Sequence, residues 1–463
     1  MANTKFLIAG VLVVGALVAT PLVISSSVDK EIETTKALLE KNGFKQEIKS
    51  KSGYFNSLRS FTLEVVDASK AKDYLLDSLV EKNVQYKVFA QSMKEIDATE
   101  INTAFNGLMF RGEIHNSNLL PSDTTMSLIL DRLPHGIQTE LMQDKEASAI
   151  VLPLLTRGVF ALDMSFDTRQ KLKHLKVRDM KESITSEGTV LDVDTADHTL
   201  KLSEESGVVK GAIGVKKQHI GVTSDVFSLK SALSDVVYDF NFKDDFNNKG
   251  TLDIGKYALD VKEMGDVTHF SMGAFKANST LEEIAQQLKL KADYTVNDIA
   301  FSDGYEDIKL QKFGATMQFA GIATDKVKTL RNHYNAILLN SNAPTDEVLI
   351  ADFVGLINDG IVIDLNVAVQ GLKAQTPLKD VRIDTRIEIP KNSYNDTQSP
   401  LALVGLIDIG AKVKLHKEDR AMLESLEITV PEDFALGKAE GDFFLYDITM
   451  KKGVVSVNGK LIG

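Results

Sequence analysis

The stretch TLDIGKYALDV, residues 251–261, decides the fold class of this chain because its apolar residues recur at every second position. Leu252 and Ile254 share one parity, whereas the apolar residues that follow Gly255-Lys256 have the other. Period-two alternation is typical of a β-strand with one buried face. A two-residue turn reverses the parity, since the residues that flank it pair on one face. The stretch therefore predicts a hairpin with its turn at 255–256.

The same pattern occurs on both sides of this hairpin. AIGVKKQHIGV, residues 212–222, predicts a second turn at 216–217, and ADYTVNDIAF, residues 292–301, predicts a third at 297–298. Alternation of this kind extends from about residue 186 to 322. A long antiparallel meander sheet is the simplest fold that joins such strands through short turns.

Helical segments accompany the strand pattern. Residues 68–83 predict one helix. Residues 324–340 and 345–359 carry apolar residues at helical spacing, and Pro344 separates them. We expect this pair to cover the apolar face of the meander, with Phe353 buried against it. STLE, residues 279–282, is a capping box and predicts one further helix start.

The body of the chain is therefore expected to be mainly β with helical insertions, an α+β fold. No linker or change of composition marks a boundary within residues 28–463, and the helical insertion lies at about 324–359. A sheet with one apolar face has to cover that face. The sequence leaves open whether helices close it into a core or leave an apolar groove.

An uncharged apolar run, residues 6–24 from Phe6 to Ile24, is long enough to cross a bilayer. At about 1.5 Å per residue it spans roughly 28 Å. Lys5 precedes the run, and the positive-inside rule places the N-terminus in the cytoplasm and the body across the membrane. We expect residues 1–27 to be a single-pass transmembrane anchor, an uncleaved signal. The alternative is a cleaved secretory signal, whose apolar region is normally about 7–15 residues.

Composition excludes several classes of function. The chain has 463 residues and a formal net charge of −12, so the phosphates of a nucleic acid would repel it. It has no cysteine, which excludes disulfides, thiolate metal sites and a cysteine nucleophile. No phosphate-binding glycine loop, dinucleotide fingerprint or nucleophile elbow occurs. We therefore predict no catalytic residue, no cofactor and no metal site, and a protein that is not an enzyme.

Two short segments are weaker candidates for a site. DVDTAD, with Asp192, Asp194 and Asp197, lacks the glycine and the terminal glutamate of a calcium loop, and a hairpin turn is favoured. His135, which Gly136 follows, is a candidate catalytic histidine, but a turn after a proline is favoured.

The segment SGYFNSLRSFTLEV, residues 52–65, predicts a turn at 52–57 that leads into a strand whose buried face is Phe61, Leu63 and Val65. The same segment resembles the signature of the YdgA-like family of bacterial envelope proteins. The likeness extends along the chain through LRNHYNAILL, residues 330–339. Within residues 52–65 the resemblance is carried by Gly53, Tyr54, Phe55 and Ser57. Elsewhere in the chain it is carried by His135, Gly136, Asn458 and Gly459.

The resemblance implies a single-pass inner-membrane protein with a β-rich periplasmic body, and it brings no catalytic residues. The family is distantly similar to AsmA-like envelope proteins, which are associated with lipid handling. The expected function is therefore non-enzymatic lipid handling through an apolar β groove. The alternative is a periplasmic scaffold for other envelope proteins, such as a motility or secretion machine. The expected partners are the bilayer, through residues 6–24, with lipid or other envelope proteins, and no nucleic acid.

Overall fold

The fold is mainly β with helical insertions, as the sequence predicted, and its paired strands run antiparallel. The computed structural model describes residues 36–52, 56–82, 87–117, 124–169, 171–186, 188–338, 344–374, 377–395, 402, 404–420 and 437–462. The chain divides into two compact units, with the boundary between Ser203 and Glu204. They are called the N-terminal unit and the C-terminal unit below, and each is described by itself.

The N-terminal unit is an antiparallel sheet with five helices whose bounds are given below and a helical segment over residues 36–41. Its strands pair in the order β1-β2-β3-β4-β5-β6-β9, and β7 and β8 form a hairpin. The strands are β1 (Phe44–Ser52), β2 (Asn56–Val65), β3 (Met109–Ser117), β4 (Thr124–Arg132), β5 (Ala161–Phe166), β6 (Leu172–Val177), β7 (Met180–Ser186), β8 (Thr189–Ala196) and β9 (His198–Glu205). The helices are α1 (Ala68–Lys82), α2 (Lys87–Lys94), α3 (Ala98–Phe105), α4 (His135–Gln143) and α5 (Lys145–Arg157).

One face of this sheet is buried under α1, α2 and α3. Phe61, Leu63 and Val65 are 4%, 3% and 2% exposed, so the predicted strand face is confirmed. Ser52 pairs with Ser57 across the β1–β2 hairpin, and residues 53–55 of the predicted turn lie outside the described residues. Residues from the sheet and these helices form one apolar cluster that includes Phe44, Leu75, Leu76, Ile101, Phe105, Ile114, Met126, Leu128, Met164 and Phe166.

Helix α1 begins where polar side chains satisfy its first backbone N–H groups, as helix starts require. The carboxylate of Asp67 accepts from the N–H of Lys70 at 3.2 Å. The side-chain oxygens of Asn106 and Asn102 accept from the N–H groups of residues 68 and 69, at 2.8 and 2.9 Å. Burial opposes ionisation of Asp67, but the hydrogen bonds and charge of Lys70 outweigh it and lower the pKa of this carboxyl. The end of α3 is thereby fixed against the start of α1.

The C-terminal unit is a meander with one pair of long helices and a short helical segment over residues 417–420. Its strands pair in the order β10-β11-β12-β14-β15-β16-β17-β18-β19-β21-β22-β23. They are β10 (Val208–Thr223), β11 (Phe227–Asp244), β12 (Asn247–Glu263), β13 (Asp266–Met272), β14 (Phe275–Ile284), β15 (Gln287–Ser302), β16 (Asp307–Ala323), β17 (Ile361–Lys373), β18 (Leu378–Ile389), β19 (Asp408–His416), β20 (Lys438–Glu440), β21 (Phe443–Lys451), β22 (Val454–Val457) and β23 (Lys460–Ile462). Helices α6 (Thr324–Leu338) and α7 (Asp346–Asn358) lie between β16 and β17 in the chain.

The three hairpin turns predicted at 216–217, 255–256 and 297–298 are wrong. Each pair lies inside a continuous strand, in β10, β12 and β15 respectively. These strands have 16 or 17 residues and therefore extend over roughly 55 Å. The true turns lie at their ends, so each strand is about twice as long as the sequence pattern suggested.

The positions at which the parity of the apolar residues changes lie beside one another on neighbouring strands. They form a line across the sheet, which is called the crease below. Register continues through it, since Val215 pairs with Val236 before the crease and Lys217 with Ser234 after it. The residues at this level are 216, 235, 255, 273–274, 298, 311 and 371. Asp235, Asp298 and Gly371 have φ values of 54°, 53° and 65° there. Positive φ interrupts the regular alternation of side chains in a strand, as at a β-bulge. The parity of the apolar residues therefore does change at these positions, but the cause is an irregularity within continuous strands and not a turn.

Glycines allow neighbouring strands to approach closely along the crease. A Cβ atom on Gly255 would lie 2.8 Å from the Cβ of Asp235, and one on Gly371 would lie 2.8 Å from the Cβ of Gln311. A Cβ on Gly273 would lie 3.2 Å from that of Asp298. Real Cβ atoms rarely come this close, so the crease depends on these positions having no side chain.

The helix predicted from residues 279–282 is also wrong. Those residues belong to β14, and the segment turns at Ala285 and Gln286, which have positive φ, into β15. Ser279 pairs with Gly250 on one side and with Ala292 on the other. Pairing on both sides satisfies the backbone, and this outweighs a local helix signal that is only a weak preference.

The two helices of the insertion exist as predicted, but the expectation that they bury their apolar residues on the sheet is wrong. Phe353 is 55% exposed and Tyr334 is 58% exposed. No residue of α7 is buried. The pair lies at one end of the sheet, where Thr324 donates its N–H to the carbonyl of Gln286 at 3.0 Å and is itself buried.

Replacement of Gly371 by Ala should destabilise the C-terminal unit by about 1–3 kcal/mol, because φ is positive there and the new Cβ would meet Gln311. Gly410 is the matched control, since it lies in β19 with no positive φ and with no atom within 4 Å of the position that a Cβ would take. Gly410→Ala should be neutral or stabilising by up to about 1 kcal/mol. Urea midpoints of both variants measure the difference, and equal midpoints would contradict the role given to the crease.

Phe61→Ala should cost about 3–5 kcal/mol, because it leaves a cavity in the N-terminal core. Phe353→Ala should cost less than about 1 kcal/mol, because that ring is more than half exposed. The same chemical change is thus compared at two sites, with unfolding followed by circular dichroism in mild detergent. A large loss at Phe353 would show that α7 is covered in solution.

Candidate functional site

An apolar strip runs across the C-terminal sheet on one side of the crease. Its first row, taken from strand to paired strand, is Val215, Val236, Ile254, Phe275, Val296, Phe313, Val369, Val381, Leu415 and Phe444. Three further rows lie two, four and six residues away along each strand, toward α6 and α7. These four rows on ten strands are the apolar strip, and they contain no Asp, Glu, Lys or Arg.

The alternate positions of the same strands form the opposite face, which is polar. Asp364 pairs with Arg386 at 3.2 Å across β17 and β18. Thr316 donates to Asp293 at 2.9 Å across β16 and β15. Ion pairs and hydrogen bonds of this kind suit a face in contact with water. The sheet is therefore amphipathic over its full width.

Over β10 to β17 no described element of the C-terminal unit covers the apolar strip. At the far end of the strip, Leu415 and Tyr446 form a small buried cluster with Val457, and Arg420 lies over the ring of Phe444 at 4.3 Å. Residues exposed by more than a third include Ile213, Tyr238, Phe242, Tyr294 and Leu365. The buried members of the strip are Gly250, Ala292, Val296, Leu415 and Tyr446. The N-terminal unit gives the contrast, because the equivalent face of its sheet is closed by three helices. The sequence left open whether helices cover the apolar face, and in the described part of the C-terminal unit the face is uncovered from β10 to β17.

The strip is larger than an ordinary exposed patch. Three steps of two residues give a length of roughly 20 Å along the strands, and nine strand spacings give a width of roughly 43 Å. The product is roughly 900 Å², whereas the largest apolar patch on a typical monomer is about 300–600 Å². On this ground the strip is the candidate functional site of the described residues.

The helix pair lies at the end of the strip and is held by polar contacts. Arg331 of α6 forms an ion pair of 2.6 Å with Asp245, which lies in the turn between β11 and β12. Lys328 and Arg331 also lie over the ring of Phe246, at 5.1 and 5.2 Å from its centroid. Asn358 of α7 donates to the carbonyl of residue 394 at 2.8 Å. The pair is therefore attached to the sheet end by its charged and amide groups, which leaves apolar side chains of α7 outside.

The N-terminal unit has a polar pocket on the other face of its sheet, with a volume of about 430 Å³. Its charged lining groups are engaged locally. Arg111 pairs with Asp131 at 3.0 Å, and Arg178 pairs with Asp163 at 3.4 Å and donates to Ser127 at 3.3 Å. Both signs of charge line the pocket and two of its arginines are engaged with neighbouring carboxylates, so the pocket carries no clear preference for a ligand.

The described family-signature residues are distributed over both units. Ser57 is buried at the start of β2, and its hydroxyl donates to the side-chain oxygen of Asn116 at 2.6 Å, which holds β2 against β3. His135 belongs to the N-terminal unit, whereas Asn458 and Gly459 belong to the C-terminal unit. Gly53, Tyr54 and Phe55, like Phe6 and Ile24, lie outside the described residues.

His135 and Gly136 start helix α4 and do not form the predicted turn, because Pro134 occupies the N-cap position. The ring of His135 lies over Gly107, where a Cβ atom would be 2.4 Å from the ring. A Cβ atom on Gly136 would lie 2.4 Å from the carbonyl oxygen of Thr103. Both residues thus allow close packing of α4 against α3, and their contacts explain the pair without chemistry.

Asn458 and Gly459 form the turn between β22 and β23, with φ values of 51° and 80°. Two residues with positive φ are the requirement of a type I′ hairpin turn. The N–H of Asp447 donates to the side-chain oxygen of Asn458 at 2.9 Å, and the N–H of Asn458 donates back to the carbonyl of Asp447 at 2.7 Å. The turn is therefore fixed onto β21.

The hairpin turn favoured from the sequence for the acidic segment at 192–197 is wrong. Asp192 and Asp194 lie within β8, which pairs with β7, and Asp197, with φ of 51°, joins β8 to β9, which pairs with β6. The N–H of Asp197 donates to the carboxylate of Asp179 at 2.9 Å, and this bond is the main cause of a lowered pKa for Asp179. Hydrogen bonds to Asp197 and Asp179 raise the pKa of Lys176. Among the described residues no group of three or more His, Asp or Glu is placed to hold a metal ion.

Within the described part of the chain, no helix has both the length and the apolar composition needed to cross a bilayer. The predicted anchor at residues 6–24 lies outside that part. Comparison with protein-family models, curated proteins and solved structures found no match to this chain. The resemblance to the YdgA-like family, with the anchor and the location that it implies, therefore stays a prediction.

The sequence alone did not predict the apolar strip, because each change of parity was interpreted as a turn. The strip becomes apparent only when the register aligns the strands and brings the alternating residues into rows. The signal was present in every strand separately, for example in β17, where Ile363, Leu365, Val367 and Val369 alternate with polar or small residues.

Gly136→Val should destabilise the N-terminal unit by about 1–3 kcal/mol, because the new side chain would overlap the carbonyl of Thr103. His135→Ala should cost less than about 1 kcal/mol and leave any ligand binding unchanged, because the residue is exposed. Urea unfolding and a lipid-binding assay test both variants. Loss of binding in stable His135→Ala protein would return this histidine to the functional candidates.

Proposed function

We propose that the C-terminal unit binds the acyl chains of lipids along the apolar strip, and that the protein is a non-enzymatic lipid-handling protein. The observation that carries this proposal is the apolar face on ten paired strands, which no described element covers from β10 to β17. Burial of apolar surface is worth about 25 cal/mol per Å², so leaving most of a strip of roughly 900 Å² without cover forgoes a large stabilisation. A bound apolar ligand recovers it.

The dimensions of the strip suit an acyl chain. A single leaflet contributes about half of the roughly 30 Å hydrocarbon core, so one chain extends over about 15 Å. The strip measures roughly 20 Å along the strands. A chain laid parallel to a strand therefore fits between the crease and the sheet end, and neighbouring strands offer parallel places for further chains.

The chemistry of the strip favours lipid over a protein partner. Protein interfaces are only about 56–65% apolar and carry roughly one hydrogen bond per 100–200 Å². The strip has no charged residue, and its polar side chains are limited to Asn248, Ser279, Thr385 and the hydroxyls of tyrosines. Such a surface has little to offer a partner that brings polar groups, whereas hydrocarbon brings none.

The proposed location is the bacterial inner membrane, with residues 6–24 as a single-pass anchor and the body in the periplasm. Two observations support it: the uncharged run with Lys5 before it, and the ordered resemblance to the YdgA-like family. An anchored body would hold the strip near a source of lipid. Bilayer and lipid are then the expected partners, and nucleic acid is not.

A matched pair of substitutions tests the strip. Ala315 lies on it in β16, and Ala368 lies on the polar face of the adjacent β17, opposite Arg382. Ala315→Asp places a carboxylate where hydrocarbon would lie, whereas Ala368→Asp places the same group beside an arginine and water. We expect Ala315→Asp to reduce bound lipid at least about tenfold, which corresponds to about 1.4 kcal/mol, and Ala368→Asp to leave it unchanged.

The measurement is native mass spectrometry, with lipid extraction, of the full chain purified in mild detergent. Circular dichroism of both variants controls for folding. Equal lipid content in the two variants, or none in the unaltered protein, would contradict the proposal. A stoichiometric protein in place of lipid, lost in Ala315→Asp, would support the scaffold alternative.

A further inference from the structure

We propose that the helix pair α6–α7 is a bilayer-contact element through which acyl chains pass between a membrane leaflet and the apolar strip. This inference rests on the proposed lipid-handling function and adds the partner of its helical insertion. The partner is the surface of a lipid bilayer, into which the exposed apolar side chains of α7 insert.

The first observation is the composition of α7 set against its burial. Its sequence, DEVLIADFVGLIN, has apolar residues around most of its circumference after the first turn. A helix that is apolar on all sides is ordinarily buried in a core or in a membrane. Here none of its residues is buried, and Val348, Ile350 and Phe353 are 39%, 47% and 55% exposed.

The second observation is how the pair is oriented by its polar contacts. Lys326 of α6 pairs with Asp359 at 2.6 Å and donates to the carbonyl of Gly355 at 2.7 Å. His333 contacts Asp352 at 2.5 Å. These contacts join α6 to the C-terminal half of α7 and to the segment after it. Lys326, His333 and Asp352 are thus used within the pair and Arg331 against the sheet end, whereas the exposed apolar side chains of α7 have no such contact.

The third observation is continuity with the strip. The polypeptide enters α6 directly from β16 at Thr324 and returns from α7 to β17 through Gly360. The outermost row of the strip includes Phe319 and Ile363, which pair with each other only a few residues from these junctions. An acyl chain that lies along the strands therefore ends at the helix pair. Contact of this pair with a bilayer would let the chain move onto the strip without crossing water.

A bilayer explains α7 better than a protein groove does. A helix that docks into a protein groove presents one apolar stripe, with polar residues on its other side. Interfacial insertion places apolar side chains about 5–10 Å into the boundary of head groups and chains. The exposed apolar residues of α7 lie on successive turns of the helix. Val348 and Ile350, which are two residues apart, point to different sides of it and therefore do not belong to a single stripe.

The other end of the sheet is the competing location. Its hairpin tips carry Val226, Met264 and Tyr305, which are 66%, 87% and 90% exposed. Met264 donates its N–H to the carbonyl of Val226 at 3.1 Å, so two of these tips touch. The crease separates these tips from the apolar strip, whereas the helix pair adjoins it. For this reason the helix pair is the favoured point of contact.

The absence of cysteine from the chain allows a direct test with single labels. Phe353→Cys, Tyr305→Cys and Asp239→Cys would each carry a nitrobenzoxadiazole fluorophore. The three sites are exposed and report on the helix pair, the opposite sheet end and the polar face. Ile350→Cys is a second reporter on α7. The full chain is reconstituted into vesicles of phosphatidylethanolamine and phosphatidylglycerol with or without lipids that carry a nitroxide on the acyl chain.

We expect nitroxide lipids to remove most of the fluorescence at 353 and at 350, and to leave the fluorescence at 239 unchanged. Quenching at 305 with none at 353 and 350 would overturn the inference and place the bilayer at the other end. No quenching at any site would also overturn it, and capture of a stoichiometric envelope protein by α7 would assign the helix pair to a protein partner.

The same labels in an Ala315→Asp background separate the two proposals. Quenching at 353 that persists when the strip no longer holds lipid shows contact with the bilayer itself. Quenching that disappears together with strip lipid shows that the probe detected only lipid on the strip, which overturns the bilayer contact and leaves the lipid-binding function standing. Bound lipid that is the same in both backgrounds is the result that contradicts the proposed function.

Discussion

A strand register that stays the same on both sides of the crease is the constraint on which the C-terminal unit depends. Strands of 16 to 18 residues keep one register on both sides of the level where the apolar alternation changes phase. If the register slipped by one residue, every side chain on a strand would move to the opposite face. The rows of the apolar strip exist only because the ladder holds, and the glycines of the crease let it hold where neighbouring backbones approach.

The sequence predicted what depends on local pattern. The mainly β class, the extent of helices α1, α6 and α7, and the buried face of Phe61, Leu63 and Val65 all follow from periodicity and helix signals. The internal turns failed because a parity change has two physical causes, a turn or a positive-φ residue within a strand. Sequence alternation is the same for both, and only the pairing partner on the next strand distinguishes them.

The apolar strip was harder to predict, because it exists only where no helix packs on the apolar face of the sheet. Both units present a sheet with one apolar face, and both have helices of similar length nearby in the chain. In the N-terminal unit the side chains of Asn102 and Asn106 fix α3 to the start of α1, and three helices close the core. In the C-terminal unit Arg331 and Lys328 attach α6 to a turn at the sheet end. The position of a few polar side chains decides whether helices cover an apolar face. The spacing of apolar residues in the sequence does not predict where those helices attach.

The meander also determines how the width of the strip can change. Nearly every strand in it pairs with its neighbours in the chain, so the unit resembles a one-dimensional array in which each hairpin interacts mainly with the next. Insertion or deletion of one complete hairpin would add or remove about 10 Å of width and two places on each row. The strip length along the strands would stay the same, because the crease and the turns set it. The number of hairpins would thus set how many acyl chains the strip holds, and the distance from the crease to the turns would set the length of acyl chain that fits. Duplication of a hairpin in evolution would change the first and leave the second unchanged.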